Sequence, residues 1–153
     1  MDEHILATRP AMDNDFDYAW KVYSEAVKPH IAPLLKRGWE DHVEVDNFRK
    51  VWSLPTSHII TLDQIPVGWI GVLISGDHVE IEHLYIDSSF RGRGIGSRLV
   101  SELIKQWNQE GKAVKANVLR DPRVSRFASR LGLVAAGSDS DGAVTRAFVY
   151  RHD

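Results

Sequence analysis

The chain has 153 residues, of which 43% are hydrophobic and 26% charged, and this suits a single soluble globular domain. Its net charge of −2 provides no general attraction to nucleic acid, and the absence of cysteine excludes disulfides, thiolate nucleophiles and cysteine metal sites. The start of the chain shows no signal-peptide pattern, and no apolar run reaches membrane-spanning length. We therefore expect one cytoplasmic domain over residues 1–153, with no membrane partner.

The N-terminal third predicts one strand and two helices. Residues 4–9 predict a short strand. Apolar residues at helical spacing then predict a first helix, which one of residues 13–15 can cap and which Lys28-Pro29 should end. Its apolar face comprises Phe16, Ala19, Trp20, Tyr23 and Val27. After a loop that contains proline, residues 40–52 predict a second helix.

Strands fill the middle of the chain. Residues 58–62 and 67–75 predict a hairpin around Asp63-Gln64. A second turn at Gly76-Asp77 leads into a strand over residues 79–86. Because strands joined by such short turns lie side by side in opposite directions, these three should form an antiparallel meander.

An amphipathic helix and a parallel strand come next. The apolar residues of the helix recur every three or four positions: Ile95, Leu99, Val100, Leu103, Ile104 and Trp107. Gly111 should end the helix. Since the helix is a crossover connection, the strand over residues 113–119 should lie parallel to residues 79–86.

The C-terminal part predicts a last helix and a closing hairpin. Asp121 followed by proline is typical of a helix start, and Gly132 should end this helix. Residues 134–138 and 143–151 then predict the two strands of the hairpin.

The turn between the strand over residues 79–86 and the amphipathic helix carries the main chemical signal. Gly92, Gly94 and Gly96 let a ligand approach the backbone closely, and Arg91 and Arg93 add positive charge. Because a helix begins with unpaired N–H groups and a partial positive charge, this arrangement can seat a phosphate or pyrophosphate. The alternative is a solvated basic turn. The turn has neither the P-loop pattern nor the dinucleotide pattern.

Arg91-x-x-Gly94-x-Gly96, after a strand that ends in Leu84-Tyr-Ile86, resembles the acetyl-CoA-binding motif of the GNAT superfamily of N-acetyltransferases. The resemblance implies that the backbone of this loop holds the pyrophosphate of coenzyme A. The loop residues concerned are Arg91, Gly92, Arg93, Gly94, Ile95, Gly96 and Ser97. It also implies that Leu84, Tyr85 and Ile86 bind the pantetheine arm and the acetyl carbonyl.

The same resemblance implies the fold. A GNAT protein is an α/β (α+β) protein whose mixed, mostly antiparallel central sheet of about seven strands is flanked by helices. The order of the predicted elements agrees with this layout.

The stretch from Asp121 to Gly132 resembles the second motif of the family. Asp121 replaces the usual asparagine, and the resemblance places it among the cofactor-binding residues. Ala128 stands where a tyrosine often acts as the general acid, and an alanine cannot donate a proton. Either another group protonates the leaving thiolate or the thiolate leaves unassisted, which its pKa of about 8.5 makes less costly than for an alkoxide.

The resemblance also implies that a carboxylate on the strand before the glycine turn acts as a base. Glu82 is the first candidate and Glu80 the second. Strand alternation puts both side chains on one face and His83 on the other. The alternative is that both carboxylates face solvent or pair with arginine. His83 is a weaker candidate, because a histidine on a strand is more often structural.

For the acceptor site, Gly38-Trp-Glu40 is similar to a stretch found in a subset of small family members. We predict that Trp39, Glu40 and Trp52 bind the acceptor, with aromatic rings as a wall and the carboxylate as an attraction for an amine. The alternative is that the acidic residues favour the helix start and the aromatic residues belong to the core.

The sequence is compatible with three alternative functions. The first is an acetyl-CoA-dependent N-acetyltransferase that moves an acetyl group to a primary amine of a small molecule or peptide by direct attack in a ternary complex. Acetyl-CoA is then the cosubstrate, and no metal is expected. The alternative is a non-catalytic acyl-CoA-binding or sensing module. A nucleic-acid contact through Arg91 and Arg93 is disfavoured by the net charge. The acceptor, the length of the acyl group and the oligomeric state, a homodimer included, stay open.

Overall fold

The computed structural model describes residues 4–119, 126, 130, 134–135 and 145–150, with side chains for residues 4–116, 126 and 130. Of the last predicted helix, only Arg126 and Arg130 are described, and both are helical. The predictions for Asp121 and Ala128 lie outside the described residues.

Apart from the helical Arg126 and Arg130, the described residues form three α-helices and seven strands. The helices are α1 (Phe16–Ile31), α2 (Asp41–Val51) and α3 (Ile95–Gln109). The strands are β1 (Leu6–Pro10), β2 (Ser57–Leu62), β3 (Ile65–Ser75), β4 (His78–Ile86), β5 (Ala113–Leu119), β6 (Val134–Ala135) and β7 (Thr145–Tyr150). Short 3-10 turns occupy Asp13–Asp15, Ala32–Leu34, Leu54–Thr56 and Ser88–Phe90.

The strand order in the sheet is β1-β2-β3-β4-β5-β7-β6. β4 and β5 are parallel, whereas β1–β2, β5–β7 and β6–β7 are antiparallel. The predicted mixed sheet flanked by helices is therefore confirmed, as is the parallel pairing across α3. Asp63 and Gln64 both have positive φ, which is the backbone of a tight hairpin turn and explains why β2 and β3 are neighbours.

Most predicted bounds agree with the structure to within one or two residues, and the end of α1 differs for a physical reason. The predicted end of α1 at Lys28-Pro29 is wrong, because α1 continues to Ile31 and the N–H of Ala32 donates to the carbonyl of Lys28. Pro29 lies in the last turn, where its missing N–H removes a single helical bond. In the closing hairpin, Val134–Ala135 and Thr145–Tyr150 are the described parts of the two predicted strands.

The chain packs as two compact units, and the prediction of one domain stays a prediction. The first unit comprises Met1–Ile70 and Tyr85–Arg93, and the second comprises Gly71–Leu84 and Gly94–Asp153. In the first unit, Phe48 lies at the centre of a cluster of aromatic rings with Phe16, Trp20, Tyr23, Trp52 and Trp69. In the second, the buried face of α3 consists of Ile95, Leu99, Val100, Ile104 and Trp107. Leu103, predicted for the same face, is half-buried.

Gly68 on β3 lies against the backbone of β4 so closely that a side chain has no room. A Cβ at Gly68 would lie 2.2 Å from the carbonyl oxygen of Tyr85. We expect Gly68→Ala to lower the free energy of unfolding by about 1–3 kcal/mol, since overpacking against backbone forces the strands apart. Urea denaturation of the variant measures the loss.

Gly71→Ala is the matched control on the same strand. A Cβ at Gly71 would first meet the ring of His83 at 3.1 Å, and a side chain can move where a backbone cannot. We expect a smaller loss than for Gly68→Ala. An equal loss in the two variants would contradict the importance of the close backbone approach at Gly68.

Candidate active site

The glycine turn between β4 and α3 has the backbone conformation that the sequence predicts. Asp87 caps the 3-10 turn Ser88–Phe90, and Arg91 is extended. Gly92 and Gly94 have positive φ values of 79° and 74°. Gly94 is the residue directly before α3, so the left-handed conformation that glycine favours is what allows the chain to enter the helix here.

The N-terminus of α3 is open. Gly94 provides no side-chain cap, and the first turn of the helix contains no acidic residue. The N–H of Arg98 donates to the carbonyl of Gly94 at 3.0 Å, so the amides before it have no acceptor within the helix. Within the part of the chain that the structure describes, a Cβ at Gly92 or at Gly94 would meet no atom within 4 Å. The turn therefore presents N–H groups and a partial positive charge that no described side chain covers at Gly92 and Gly94, as an anion site requires.

The two arginines of the turn keep their charge available. Both side chains are exposed. Nε of Arg91 donates to the carbonyl of Ile86 at 3.1 Å, and the guanidinium of Arg93 lies 5.3 Å from the centre of the Phe90 ring. Neither arginine pairs with a carboxylate in the described part of the chain. The positive charge of the turn is thus uncompensated by described side chains.

The ladder between β4 and β5 ends before β4 does. Its last pair is Ile81 opposite Ala116, whereas β4 continues to Ile86 and β5 to Leu119. Beyond this pair β5 remains bonded to β7. The last part of β4, directly before the glycine turn, therefore lies beyond its ladder with β5.

The two candidate bases differ in their surroundings. Glu82 is half-buried and follows the last residue of the ladder, and its carboxylate forms no hydrogen bond or ion pair with a described residue. Glu80 lies within the ladder, opposite Lys115, and is engaged in a further interaction. Burial lowers the pKa of His83, whose ring lies beside Gly71. His83 is therefore neutral at neutral pH, and Glu82 is the more available carboxylate.

The three predicted acceptor residues all lie in the first unit. Trp39 stacks on Trp20, with 6.3 Å between ring centres, and its indole N–H donates to Asp41 at 2.7 Å. Glu40 is exposed at the N-cap position of α2. Trp52 meets Trp69 edge to face at 5.1 Å. Trp39 and Glu40 thus come together at the start of α2, whereas Trp52 packs against the aromatic cluster.

The buried carboxylate of Asp87 was not predicted from the sequence. It is 5% exposed and accepts hydrogen bonds from the N–H of Ser89 at 3.0 Å and from the hydroxyl of Tyr18 at 3.1 Å. Burial alone would raise the pKa of Asp87, but these bonds and the nearby Lys21 hold it below its ordinary value. An Asp between a strand and two serines is a capping pattern, and this signal could have identified it.

Asp15 is a second buried carboxylate, and its ion pair should make the protein less stable in acid. It accepts two hydrogen bonds from Arg9, at 2.8 and 3.0 Å, and these hold its pKa below the usual value despite burial. Its contribution to stability is therefore complete above a pH of about 4 and is lost as the pH falls through the lowered pKa. We expect Asp15→Asn to have a lower melting temperature than the native protein at pH 7. Near pH 3 the two melting temperatures should be nearly equal. A difference that stays constant over this range would contradict the ionised pair.

Within the described residues, no three His, Asp or Glu side chains are grouped as ligands for a metal ion. The same part of the chain has no helix of the length and apolarity needed to cross a bilayer.

Comparisons with known proteins show the family and the fold. The model of the family described as "Acetyltransferase (GNAT) family" matches residues 19–132, well over half of the chain. The mycothiol acetyltransferase of Rhodococcus jostii (strain RHA1) is 38% identical over 61 residues, a match that covers 40% of this chain and only 19% of that protein.

Solved structures are similar over nearly the whole chain. The PaiA N-acetyltransferase of Thermoplasma acidophilum, solved in complex with coenzyme A, has a TM-score of 0.73 at 18% identity and covers 97% of this chain and 99% of its own. An N-acetyltransferase of Staphylococcus aureus Mu50 has a TM-score of 0.69 at 14% identity and covers 94% of this chain and 99% of its own. At such identities the likeness establishes the fold.

Proposed function

The chain belongs to the GNAT family of acetyltransferases, and from this premise we propose that it transfers an acetyl group from acetyl-CoA to a primary amine of a small molecule or peptide. The observation that carries the proposal is the open N-terminus of α3, with Gly92 and Gly94 before it and two arginines without carboxylate partners among the described residues. In the absence of cysteine, the amine would attack directly in a ternary complex.

The residues present fit acetyl-CoA. The first amides of α3 and the arginines of the turn would hold the pyrophosphate, where positive charge and N–H donors coincide. Leu84, Tyr85 and Ile86 follow the ladder end and would bind the pantetheine arm through their backbone. Asp121 stays a predicted cofactor residue outside the described part. Bound acetyl-CoA supplies the acetyl group as an activated thioester.

Glu82 would act as the base. An alkyl ammonium with a pKa near 10.4 is mostly charged at neutral pH and must lose a proton before its nitrogen can attack. The carboxylate of Glu82 is half-buried and has no partner among the described side chains, so it can accept this proton directly or through water. Glu80 is the second candidate, although its place within the ladder and its existing interaction leave it less available.

Trp39, Glu40 and Trp52 remain our proposed acceptor residues. The stacked indoles of Trp39 and Trp20 would offer an aromatic surface. The carboxylate of Glu40, which lies 3.7 Å from the guanidinium of Arg37, would attract a cationic amine in place of this partner. Trp52 packs within the aromatic cluster and would support this surface.

Ala128 favours a second candidate function, a non-catalytic acyl-CoA-binding or sensing module, because the usual proton donor is missing at that position. Turnover separates the two functions. Acetyl-CoA should raise the melting temperature in either case, since a ligand that binds the native state stabilises it. Release of free coenzyme A thiol with a panel of primary amines, such as polyamines, aryl-alkyl amines and peptides with a free N-terminus, is expected only of the enzyme. Binding without thiol release for any amine would favour the sensing module.

A further inference from the structure

One face of α1 holds the segment between β4 and the glycine turn. Tyr18, Lys21 and Glu25 are spaced three and four residues apart and therefore share this face. The hydroxyl of Tyr18 donates to Oδ2 of Asp87 at 3.1 Å, and Nζ of Lys21 lies 3.7 Å from the same oxygen. Farther along the helix, Oγ of Ser88 donates to Glu25 at 2.9 Å. α1 thus contacts two successive residues of the segment that leads into the turn.

Asp87 is the centre of these contacts. Its backbone N–H donates to the carbonyl of Val67 on β3 at 2.8 Å, and its carboxylate caps the 3-10 turn through the N–H of Ser89. The carbonyl of Asp87 in turn accepts from the N–H of Phe90 at 2.8 Å. One buried residue therefore ties α1, β3 and the 3-10 turn together.

Both arginines of the glycine turn depend on the segment that Asp87 organises. Arg91 bonds to the carbonyl of Ile86, the residue before Asp87, and Arg93 lies over the ring of Phe90, the last residue of the 3-10 turn. A change in the backbone at Asp87 would therefore move the supports of both guanidinium groups.

We propose that Tyr18 and Asp87 are positioning residues, whose hydrogen bond sets the placement of Arg91 and Arg93 for the phosphates of acetyl-CoA. The inference rests on the proposed function, because it concerns the same cosubstrate. Neither residue was assigned a role by the family motif. Both act through the arginines rather than on the reacting atoms.

The test is the affinity for acetyl-CoA, measured by isothermal titration calorimetry in Tyr18→Phe and Asp87→Asn at several salt concentrations. We expect the dissociation constant to rise roughly tenfold in Tyr18→Phe, because misplaced guanidinium groups lose charge-assisted hydrogen bonds to phosphate. We also expect the affinity to depend less steeply on salt than in the native protein, since fewer charged contacts are made. Asp87→Asn keeps the shape of the side chain and should show the same two changes.

Asp15→Asn is the matched control, since Asp15 is also a buried carboxylate that accepts a backbone N–H, from Met12 at 2.8 Å, and pairs with a cation. It should lower the melting temperature and leave the dissociation constant unchanged. Suppose that the native protein binds acetyl-CoA. If Tyr18→Phe then binds it with the same affinity and salt dependence, the inference is overturned while the proposed function stands. The same holds if Asp15→Asn weakens binding as much as Tyr18→Phe does. If the native protein binds no acetyl-CoA, the proposed function itself fails, and the inference falls with it.

Discussion

Gly94→Val should fold and yet lose the rise in melting temperature that acetyl-CoA gives to the native protein. Gly94 has a φ of 74° directly before α3, and a β-branched residue in this conformation is strained by about 1–2 kcal/mol. No atom of the described residues lies within 4 Å of a Cβ at this position. In the variant, the isopropyl group would fill this space in front of the first amides of the helix. A saturating ligand normally adds about 2.7 kcal/mol of stability at a concentration one hundred times its dissociation constant, and this gain should disappear.

Gly111→Val separates the loss of the site from the loss of stability. Gly111 follows the other end of α3 with a φ of 78°, and a Cβ there also meets no described atom within 4 Å. Both variants should lose a similar amount of stability without ligand, since both force valine into a left-handed conformation. Only Gly111→Val should keep the thermal shift with acetyl-CoA. A full thermal shift in Gly94→Val would contradict the placement of the ligand at this turn.

Glu82→Gln should lower kcat by about 10²- to 10⁴-fold with the best amine of the panel, which is the usual contribution of a general base. The amide keeps the size of the side chain but cannot accept the proton. Because the proposed role of Glu82 is confined to proton transfer, the dissociation constant of acetyl-CoA should stay unchanged. Steady-state kinetics and calorimetry on the same preparation measure the two quantities.

Substitutions of two further carboxylates serve as comparisons for Glu82→Gln. Glu102 is exposed on α3 and pairs with Arg98 at 3.3 Å, so Glu102→Gln should leave kcat unchanged. Glu80→Gln tests the second candidate, and its loss of activity should be the smaller one. Unchanged turnover in Glu82→Gln would remove this residue from the mechanism, and a large loss confined to Glu80→Gln would transfer the role to Glu80.

Most of the fold was predictable because it depends on local patterns. The helical spacing of the apolar residues from Ile95 to Trp107 identified α3. Because α3 is a crossover connection, it also predicted that β5 lies parallel to β4. Asp63-Gln64 marked a hairpin that the positive φ values confirm. The end of α1 was not predictable in this way, because the cost of Pro29 depends on how near it lies to the end of the helix.

The candidate site was predictable only where it is formed by one continuous segment of the chain. The turn from Arg91 to Gly94 is such a segment, and its backbone conformation follows from its glycines. The point at which the β4–β5 ladder stops depends on long-range pairing, which no local pattern contains. Asp87 and Tyr18 are 69 positions apart in sequence, so their hydrogen bond could not be read from either neighbourhood.

The most direct test of the account is a titration of ¹⁵N-labelled protein with coenzyme A, followed through the backbone amide signals. The account predicts that the largest shifts fall on the amides of residues 92–97, where the N–H groups of the glycine turn and of the first turn of α3 would meet the pyrophosphate. Large shifts elsewhere, with the signals of residues 92–97 unmoved at saturation, would contradict it.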